Sequence, residues 1–245
     1  MRGVLITGAS RGIGAAAATR FAEAGYAVAL GYRSDRAAAD TVLNGLVGDG
    51  HVLLPGDVAV EAERLAAEAT RLLPGGLDVL VNNAAVRGHH PVGTVDLETW
   101  QNDWGRILAS NLTGPAELCF HVARRWISEK KSGAIVSVSS RGAIRGEPDM
   151  PAYGVSKGGI NALTRSLAVA LGPHGIHVSA VAPGFVETDG TAEKLGGPQG
   201  QAIRAQSPLG RACSAPEVAE AIFFLAHAPM ATGTILDLNG GSHLR

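Results

Sequence analysis

The sequence predicts an α/β protein built on a doubly wound parallel sheet of about seven strands, with helices on both faces. Short aliphatic runs recur along the chain, and most are followed by a stretch rich in Ala, Glu and Arg with helical character. Strands of a parallel sheet read as continuous apolar runs because helices cover both of their faces. No internal repeat or shift in composition divides the chain, so we expect one unit over residues 1–245.

The predicted strands are, in chain order, 4–7 (VLIT), 28–30 (VAL), 51–58 (HVLLPGDV), 77–84 (LDVLVNNA), 133–140 (GAIVSVSS), 177–184 (HVSAVAPG) and 233–241 (GTILDLNGG). Helices are predicted over 13–24, 36–47 and 61–73, along a long stretch around 100–130, from about Tyr153, and from Ala215. The segment 185–211 is rich in Gly, Gln, Pro and Thr and interrupts this alternation. Long irregular segments inside a compact unit are usually functional or disordered, so we expect a mobile flap there.

The composition narrows the class of protein and of partner. With 245 residues, 46% hydrophobic and 18% charged, the chain has enough apolar side chains for a sizeable core. A net charge of −1 gives no reason to expect nucleic acid or an anionic membrane as a partner. The N-terminus lacks the apolar core of a secretory signal, and no run of about 18 apolar residues suggests a membrane span. Cys119 and Cys213 are far apart, which favours a reducing, cytoplasmic setting.

A glycine-rich loop, TGASRGIGAAAATR (7–20), follows the first predicted strand and opens a helix. Glycines there allow a tight turn, and the helix N-terminus offers unpaired N–H groups to a pyrophosphate. This context predicts dinucleotide binding on a Rossmann-type fold, with the pattern T-G-x-x-x-G-x-G beginning at Thr7. The predicted contacts of this loop are Gly8, Ser10, Arg11, Gly12, Ile13 and Gly14.

Tyr153 and Lys157 lie four residues apart, so they share one face of the predicted helix. A tyrosine can donate a proton to a developing alkoxide, and a nearby ammonium lowers its pKa. A bare Y-x-x-x-K is more often packing beside a solvated lysine. Ser140 changes that balance, because it ends a strand at the edge where doubly wound sheets bind ligands. Ser139 is the alternative hydroxyl, but neighbouring strand residues face opposite ways.

Several motifs together resemble the short-chain dehydrogenase/reductase family, in its compact single-domain branch. They are the glycine loop, NNAA (82–85), Asn111 in SNLTG, Ser140, the Tyr153–Lys157 pair, Pro183–Gly184, Thr188 of a V-x-T and Gly240–Gly241. The resemblance covers almost the whole chain. It is closest to 3-oxoacyl-[acyl-carrier-protein] reductases and to sugar or polyol dehydrogenases.

This resemblance implies hydride transfer between a nicotinamide and a carbonyl or secondary alcohol. Tyr153 would be the acid, Lys157 would also hold the nicotinamide ribose, and Asn111 would fix a water that relays protons. The family's thirteen-residue step to the tyrosine selects Ser140 as the catalytic hydroxyl. Further implied cofactor contacts are Asp57, Val58, Asn83, Ala84, Pro183, Gly184, Val186 and Thr188. The family also implies a homotetramer or homodimer and a small carbonyl or alcohol substrate, possibly carried on acyl carrier protein.

The end of the second strand should distinguish NADP from NAD. Arg33 and Ser34 lie where the adenosine ribose is expected, and Arg11 of the glycine loop points the same way. Guanidinium groups suit a 2′-phosphate, whereas a carboxylate suits the free 2′-hydroxyl of NAD. The sequence therefore favours NADP(H) over NAD(H). Asp35 keeps the alternative open, since a slip of two residues would bring a carboxylate to the ribose.

The sequence also allows an alternative function and contains further candidate site residues. A catalytically silent dinucleotide sensor is the alternative from a different functional class, although such proteins usually lack part of the Ser–Tyr–Lys set. Ala85 replaces the family's usual glycine, and we expect mild crowding at the nicotinamide end. His89–His90 lies in the loop after the fourth strand, where a solvated turn is the favoured interpretation and a place at the substrate entrance is the alternative. HGIH (174–177) has no carboxylate or cysteine cluster beside it, so we predict no metal site.

Overall fold

The structure, a computed structural model, describes residues 1–244 and, at 189 and 194, the backbone alone. Only residue 245 of the predicted unit therefore lies outside the described residues. The strands are β1 (Gly3–Ile6), β2 (Ala27–Tyr32), β3 (Val52–Pro55), β4 (Val79–Asn82), β5 (Gly133–Val138), β6 (Ile176–Pro183), β7 (Val186–Glu187), β8 (Cys213–Ser214) and β9 (Ile235–Leu238).

The α-helices are α1 (Gly12–Glu23), α2 (Arg36–Gly45), α3 (Ala62–Leu72), α4 (Leu97–Leu108), α5 (Gly114–Ser128), α6 (Gly142–Arg145), α7 (Pro151–Leu171), α8 (Asp189–Gly196), α9 (Gly200–Ala205) and α10 (Ala215–Ala226). A π-helical turn, Ala109–Thr113, joins α4 to α5. Two 3₁₀ turns, Gly172–His174 and Pro229–Ala231, precede β6 and β9.

Seven parallel strands form the main sheet in the order β3-β2-β1-β4-β5-β6-β9, which confirms the predicted fold class. The chain first builds outward from β1 to β3, then crosses back to place β4 on the other side of β1. The carboxyl ends of β1 and β4 thus diverge into loops that leave in opposite directions. A crevice opens at such a switch point, and it is where ligands bind in sheets of this kind.

Alternate side chains of each central strand enter two separate cores. On one face, Val4 and Ile6 of β1 pack in a cluster with Phe21 of α1 and with α10. On the other face, Leu5 packs with Trp126 of α5 and with residues of α3 and α7. All four residues of β1 are buried, which explains its continuous apolar sequence.

Two parts of the chain differ from the sequence prediction. The helical stretch around 100–130 is two helices separated by the π turn, which widens the backbone at Asn111. Segment 185–211 was expected to be irregular, yet it contains β7, α8 and α9. Its Gly and Pro residues hid these elements because they lower the helical signal of such short segments.

Within the described residues, no helix is long and apolar enough to cross a membrane. The same part of the chain holds no group of three or more His, Cys, Asp or Glu side chains arranged to bind a metal ion. Both cysteines are free, with Cys119 buried and Cys213 half-buried.

Trp126 anchors α5 to the sheet and gives a test of the second core. Its ring is 2% exposed and its indole Nε1 donates a hydrogen bond of 2.8 Å to the carbonyl oxygen of Leu77. Trp126→Phe removes this bond and leaves a cavity, so we expect a loss of about 2–4 kcal/mol in the free energy of unfolding. Urea unfolding followed by circular dichroism measures it. Arg124→Ala, on the exposed side of the same helix, should stay within about 0.5 kcal/mol of wild type.

A loss below about 1 kcal/mol for Trp126→Phe would contradict the anchoring role, since both the lost hydrogen bond and the cavity should then have cost more.

Candidate active site

One cavity of about 750 Å³ lies at the carboxyl ends of the strands and spans the switch point between β1 and β4. The predicted site residues that line it are Gly8, Ser10, Arg11, Gly12, Ile13, Arg33, Ser34, Asp57, Val58, Asn83, Ala84, Ser140, Tyr153, Lys157, Pro183, Gly184, Val186 and Thr188. Gly14 and Asn111 are the two predicted residues outside this lining. The folding of the sheet thus gathers nearly the whole predicted set around one space.

The glycine loop forms a floor of bare backbone at one end of the cavity. Gly8 and Gly12 have φ angles of 65° and 54°, a region that favours glycine. No side chain caps the start of α1, so its first N–H groups keep no intrahelical partner and remain available to an anion. Gly14 lies beneath the loop, where a Cβ would be only 2.2 Å from the carbonyl oxygen of Gly8.

Asn83 ties this loop to the end of β4. Its amide nitrogen donates to the carbonyl oxygens of Thr7 and Gly8 at 2.9 and 3.0 Å. The Thr7 hydroxyl in turn accepts hydrogen bonds of 3.0 Å from the backbone N–H groups of Asn83 and Ala84. The two loops that bound the switch point are therefore held as one surface. Ala85 follows directly and is exposed at the cavity wall.

Two arginines at the β1–β2 end of the cavity are paired with carboxylates. Arg11 lies 3.5 Å from Asp35, and Arg33 lies 3.7 Å from Asp57. Asp35 also caps α2, because its side chain accepts a 3.0 Å hydrogen bond from the N–H of Ala38. Both guanidinium groups are more than half exposed, so these ion pairs are weak and easily exchanged for another anion.

Lys157 and Tyr153 lie on one face of α7 at the opposite end of the cavity. Both are almost completely buried, and the Lys157 Nζ lies 5.8 Å from the centre of the tyrosine ring. The ammonium donates a 2.7 Å hydrogen bond to the carbonyl oxygen of Val138, the last residue of β5. Burial lowers the pKa of Lys157 below its ordinary value, with a smaller opposing effect from Tyr153.

The pKa of Tyr153 also lies below its ordinary value. Burial raises it, but the Lys157 ammonium, the Arg87 guanidinium and the Ser140 hydroxyl together lower it more. A tyrosine in this state gives up its proton more readily than one in water. Arg87 has its guanidinium carbon 5.2 Å from the ring centre, on the loop after β4.

The two serines at the end of β5 have different surroundings. The Ser139 hydroxyl donates a 2.6 Å hydrogen bond to Asn161 Oδ1 inside α7. The Ser140 hydroxyl accepts a 3.0 Å bond from the N–H of Gly142 and lies at the cavity wall near Tyr153. That bond uses only an acceptor position of the hydroxyl, so its hydrogen can be donated to the Tyr153 oxygen or to a ligand oxygen.

Asn111 lies in the π turn and acts on the loop after β4 through its side chain. Its Oδ1 accepts a 2.7 Å bond from the N–H of Val86, and its Nδ2 donates to the Val86 carbonyl oxygen at 2.9 Å and to Ser156 Oγ at 3.2 Å. Both amide hydrogens are therefore used within the protein. These contacts position the loop relative to α7, while the relay of protons through a water at Asn111 stays a prediction.

Sequence reasoning missed two cations of the cavity wall, Arg87 and Arg141. Arg141 directly follows Ser140, and Arg87 lies two residues after the end of the NNAA motif, so proximity to those motifs was the available signal. The interpretation of His90 as part of a solvated turn was wrong. Its side chain is fully buried and its Nε2 accepts a 3.2 Å bond from the N–H of Ala152, at the start of α7.

The remaining wall comes from the beginning of segment 185–211. Phe185 and Thr188 line the cavity there, and Thr188 packs so close to the glycine loop that a Cβ on Gly12 would lie 3.2 Å from its methyl group. The arrangement thus has an acid–base end at Ser140, Tyr153 and Lys157. Its other end is an anion cradle of bare N–H groups and exchangeable arginines.

Comparison with known proteins places this arrangement in a family. The family model described as Enoyl-(Acyl carrier protein) reductase matches residues 8–243. Glucose 1-dehydrogenase of Gluconobacter oxydans is 38% identical over 97% of this chain and 90% of its own. A 3-oxoacyl-[acyl-carrier-protein] reductase of Synechocystis sp. is 35% identical over 97% of this chain and 95% of its own.

A solved structure agrees with these matches. The crystal structure, with bound NADP, of an Agrobacterium tumefaciens protein assigned as a 2-deoxy-d-gluconate 3-dehydrogenase has a TM-score of 0.86 and 29% identity. The alignment covers 100% of this chain and 97% of that one. The chain therefore belongs to the short-chain dehydrogenase/reductase family of oxidoreductases.

Proposed function

We propose that the protein is an NADP(H)-dependent oxidoreductase that interconverts a carbonyl group and a secondary alcohol. The observation that carries this proposal is the meeting of Tyr153, Lys157 and Ser140 at one end of a cavity whose other end is a glycine-rich anion cradle. An acid–base group and a cofactor site sharing one space is what hydride transfer to a carbonyl requires.

The residues present fit a dinucleotide. The positive φ angles of Gly8 and Gly12 favour glycine, which has no Cβ atom. The backbone N–H groups of this loop can therefore approach a pyrophosphate closely. The uncapped start of α1 supplies donors and the positive end of a helix dipole. We assign the cofactor contacts to the lining residues predicted from the sequence.

NADP(H) rather than NAD(H) is favoured by the charges at the adenosine end. Arg11 and Arg33 can leave their exposed pairs with Asp35 and Asp57 for a 2′-phosphate, which offers stronger charge-assisted hydrogen bonds. Asp35 is occupied in capping α2, which supports the assignment of the ribose position to Arg33 and Ser34.

The bound cofactor would supply the hydride in reduction and accept it in oxidation. In reduction, the Tyr153 hydroxyl donates its proton to the carbonyl oxygen, and the Ser140 hydroxyl donates a hydrogen bond to the same oxygen as negative charge develops. The Lys157 ammonium stabilises the phenolate that remains. Oxidation of the alcohol runs through the same groups in reverse, with the Tyr153 phenolate as base.

The comparisons suggest two classes of substrate. The relatives include enzymes named for a sugar and for a carrier-bound 3-oxoacyl thioester. A 3-oxoacyl thioester, free or on acyl carrier protein, is the first candidate from the resemblance, and a sugar, polyol or other small alcohol is the second. We also propose, from the resemblance alone, a cytoplasmic homotetramer or homodimer.

A spectrophotometric panel tests the function directly. NADPH and NADH are each offered with 3-oxoacyl thioesters, 2-enoyl thioesters, quinones, sugars, steroids and small ketones. Oxidation of NADPH by at least one carbonyl is expected. Reduction of 2-enoyl thioesters alone would overturn carbonyl reduction in favour of the activity in the family model's description. Tight cofactor binding with no oxidation by any compound would favour a catalytically silent NADP sensor.

Tyr153→Phe should lower kcat by at least about 100-fold, because the variant has no proton to donate. NADPH affinity should be nearly unchanged, since the ring and Lys157 remain. Steady-state kinetics and a fluorescence titration with NADPH measure the two quantities. Tyr26→Phe, a buried tyrosine outside the cavity, is the matched control and should keep full activity. Activity close to wild type in Tyr153→Phe would rule out this tyrosine as the acid.

Arg33→Ala should weaken NADPH binding by about tenfold, because one charge-assisted hydrogen bond to the 2′-phosphate is lost. NADH, which lacks that phosphate, should be affected much less. Dissociation constants for both cofactors measure the difference, with Arg36→Ala as a control on a neighbouring exposed arginine outside the cavity. Equal weakening of NADPH and NADH would exclude the phosphate role of Arg33.

Arg87→Met should move the pH dependence of alcohol oxidation to higher pH. The Arg87 guanidinium lowers the pKa of Tyr153, so its removal raises that pKa and the phenolate base forms only at higher pH. The measurement is kcat/KM for oxidation against pH, whose rising limb follows the Tyr153–Lys157 pair. Arg87→Lys keeps the charge and should restore the wild-type profile. A limb that stays in place or moves to lower pH in Arg87→Met would contradict this role.

A further inference from the structure

Arg141 is a buried cation without a counterion. Its side chain is 9% exposed, yet it forms no ion pair and donates no side-chain hydrogen bond to any described residue. The guanidinium nitrogens are not sealed from solvent, so the unpaired charge borders open space and is available to an anion that enters it. Burial and the neighbouring Arg145 lower the pKa of Arg141, while Glu147 raises it; an arginine nonetheless stays protonated.

The position of Arg141 fixes where its charge can act. Its backbone N–H donates a 3.0 Å bond to the Pro183 carbonyl oxygen, and its guanidinium carbon lies 4.9 Å from the centre of the Phe185 ring. A cation–π contact of this kind uses none of the N–H donors of the guanidinium in a conventional hydrogen bond, so they remain available. Arg141 lines the catalytic cavity next to Ser140 and also a smaller cavity of about 90 Å³ beside it, and Phe185 lines both. The guanidinium therefore lies at the boundary of the space that holds the reacting carbonyl.

Arg87 is a second cation at this end of the cavity. It lies in the loop after β4, whereas Arg141 lies after β5. It contacts the Tyr153 ring and forms no ion pair with a described carboxylate. Glu147 is the one acidic lining residue of this end, and it is not ion-paired with either arginine among the described side chains. The catalytic end therefore carries a net positive charge, whereas at the adenosine end each arginine has its own carboxylate.

We propose that Arg141, assisted by Arg87, binds a carboxylate that the substrate carries near its carbonyl, so that the substrates are oxo acids and the corresponding hydroxy acids. This assignment rests on the proposed function and names the substrate class of the same site. A planar guanidinium binds a carboxylate through two parallel hydrogen bonds, which would supply the missing partner of Arg141. A carrier-bound thioester has no such anion beside its carbonyl and would leave Arg141 unpaired, so this inference ranks an oxo acid above the thioester that the resemblance alone places first.

Matched pairs of compounds isolate the carboxylate. 3-Oxobutanoate, 4-oxopentanoate and 4-oxocyclohexanecarboxylate are each compared with their methyl esters as NADPH-dependent substrates. For at least one pair, kcat/KM in wild type should be at least about tenfold higher for the acid. Arg141→Met should lower kcat/KM for that acid by about 10- to 100-fold and leave its ester nearly unchanged.

Further variants separate charge, position and folding. Arg141→Lys keeps the charge without the paired donors and should fall between wild type and Arg141→Met. Arg87→Met should also lower turnover of the acid more than that of the ester, by a smaller factor because Arg87 is exposed. Arg145→Met is the matched control, since Arg145 lies four residues away and outside the cavity lining, and it should leave the ratio of acid to ester unchanged. Turnover of the esters reports that each variant is folded.

Equal kcat/KM for every acid and its ester in wild type would overturn the assignment, and so would equal losses for both in Arg141→Met. A preference for dihydroxyacetone phosphate over the carboxylates would also overturn it, because that ketone carries a phosphate in place of the carboxylate. Reduction of esters or other neutral ketones in those cases would leave the proposed function standing. If no carbonyl is reduced, the proposed function fails, and binding decides the carboxylate site separately. Ligand-observed NMR with the NADP⁺-treated protein should then detect binding of cyclohexanecarboxylate but not of its methyl ester, and Arg141→Met should abolish the binding signal of the acid. Equal binding signals for the acid and the ester would overturn the carboxylate site.

Discussion

The burial of the Lys157 ammonium is the constraint on which the site depends. Removing an ammonium from water costs several kcal/mol unless other groups replace its hydration. Val138, at the end of β5, supplies the one carbonyl oxygen that the described protein offers it, 2.7 Å from Nζ. The ammonium has three N–H donors and this bond uses one, so the other two donate to a bound ligand or to water. The bond from Lys157 to Val138 therefore fixes α7 relative to the end of β5. It also keeps the Tyr153 phenol close to the positive charge of the ammonium.

The same reasoning explains why the two ends of the cavity differ. At the adenosine end, arginines are exposed and carry carboxylate partners, so their charge can be redirected at little cost when an anion arrives. At the catalytic end, Lys157 and Arg141 are buried and Arg87 contacts the tyrosine ring. Charges that are partly shielded from water act more strongly on one another than charges at the surface. The cations here thus act on the acidity of Tyr153 and on any anion that enters.

Much of the fold could be predicted because each central strand is buried on both faces and therefore reads as an apolar run. Tyr153 and Lys157 could be paired from helical spacing, and Ser140 could be preferred to Ser139 from strand alternation. The roles of Arg87 and Arg141 could not be predicted, since no periodicity governs side chains in the loops after β4 and β5. Their significance comes from the absence of partners in three dimensions. The helices of 185–211 were also missed, because short segments with Gly and Pro have little intrinsic helical signal.

The loop after β4 links these observations, because it is fastened to α7 on both sides of Arg87. On one side, Asn111 binds both backbone groups of Val86 and also bonds Ser156 Oγ, whose hydroxyl donates to the Tyr153 carbonyl oxygen at 2.7 Å.

On the other side, the buried His90 ring accepts a hydrogen bond from the backbone N–H of Ala152, and the backbone N–H of His90 donates to the Asp149 carbonyl oxygen. A short loop held at both ends to the helix that carries Tyr153 has few conformations left. Arg87 is thus kept beside the phenol by neighbours that never touch it. Asn111 therefore influences the acid–base chemistry by setting the position of a charge, whether or not it also binds a water.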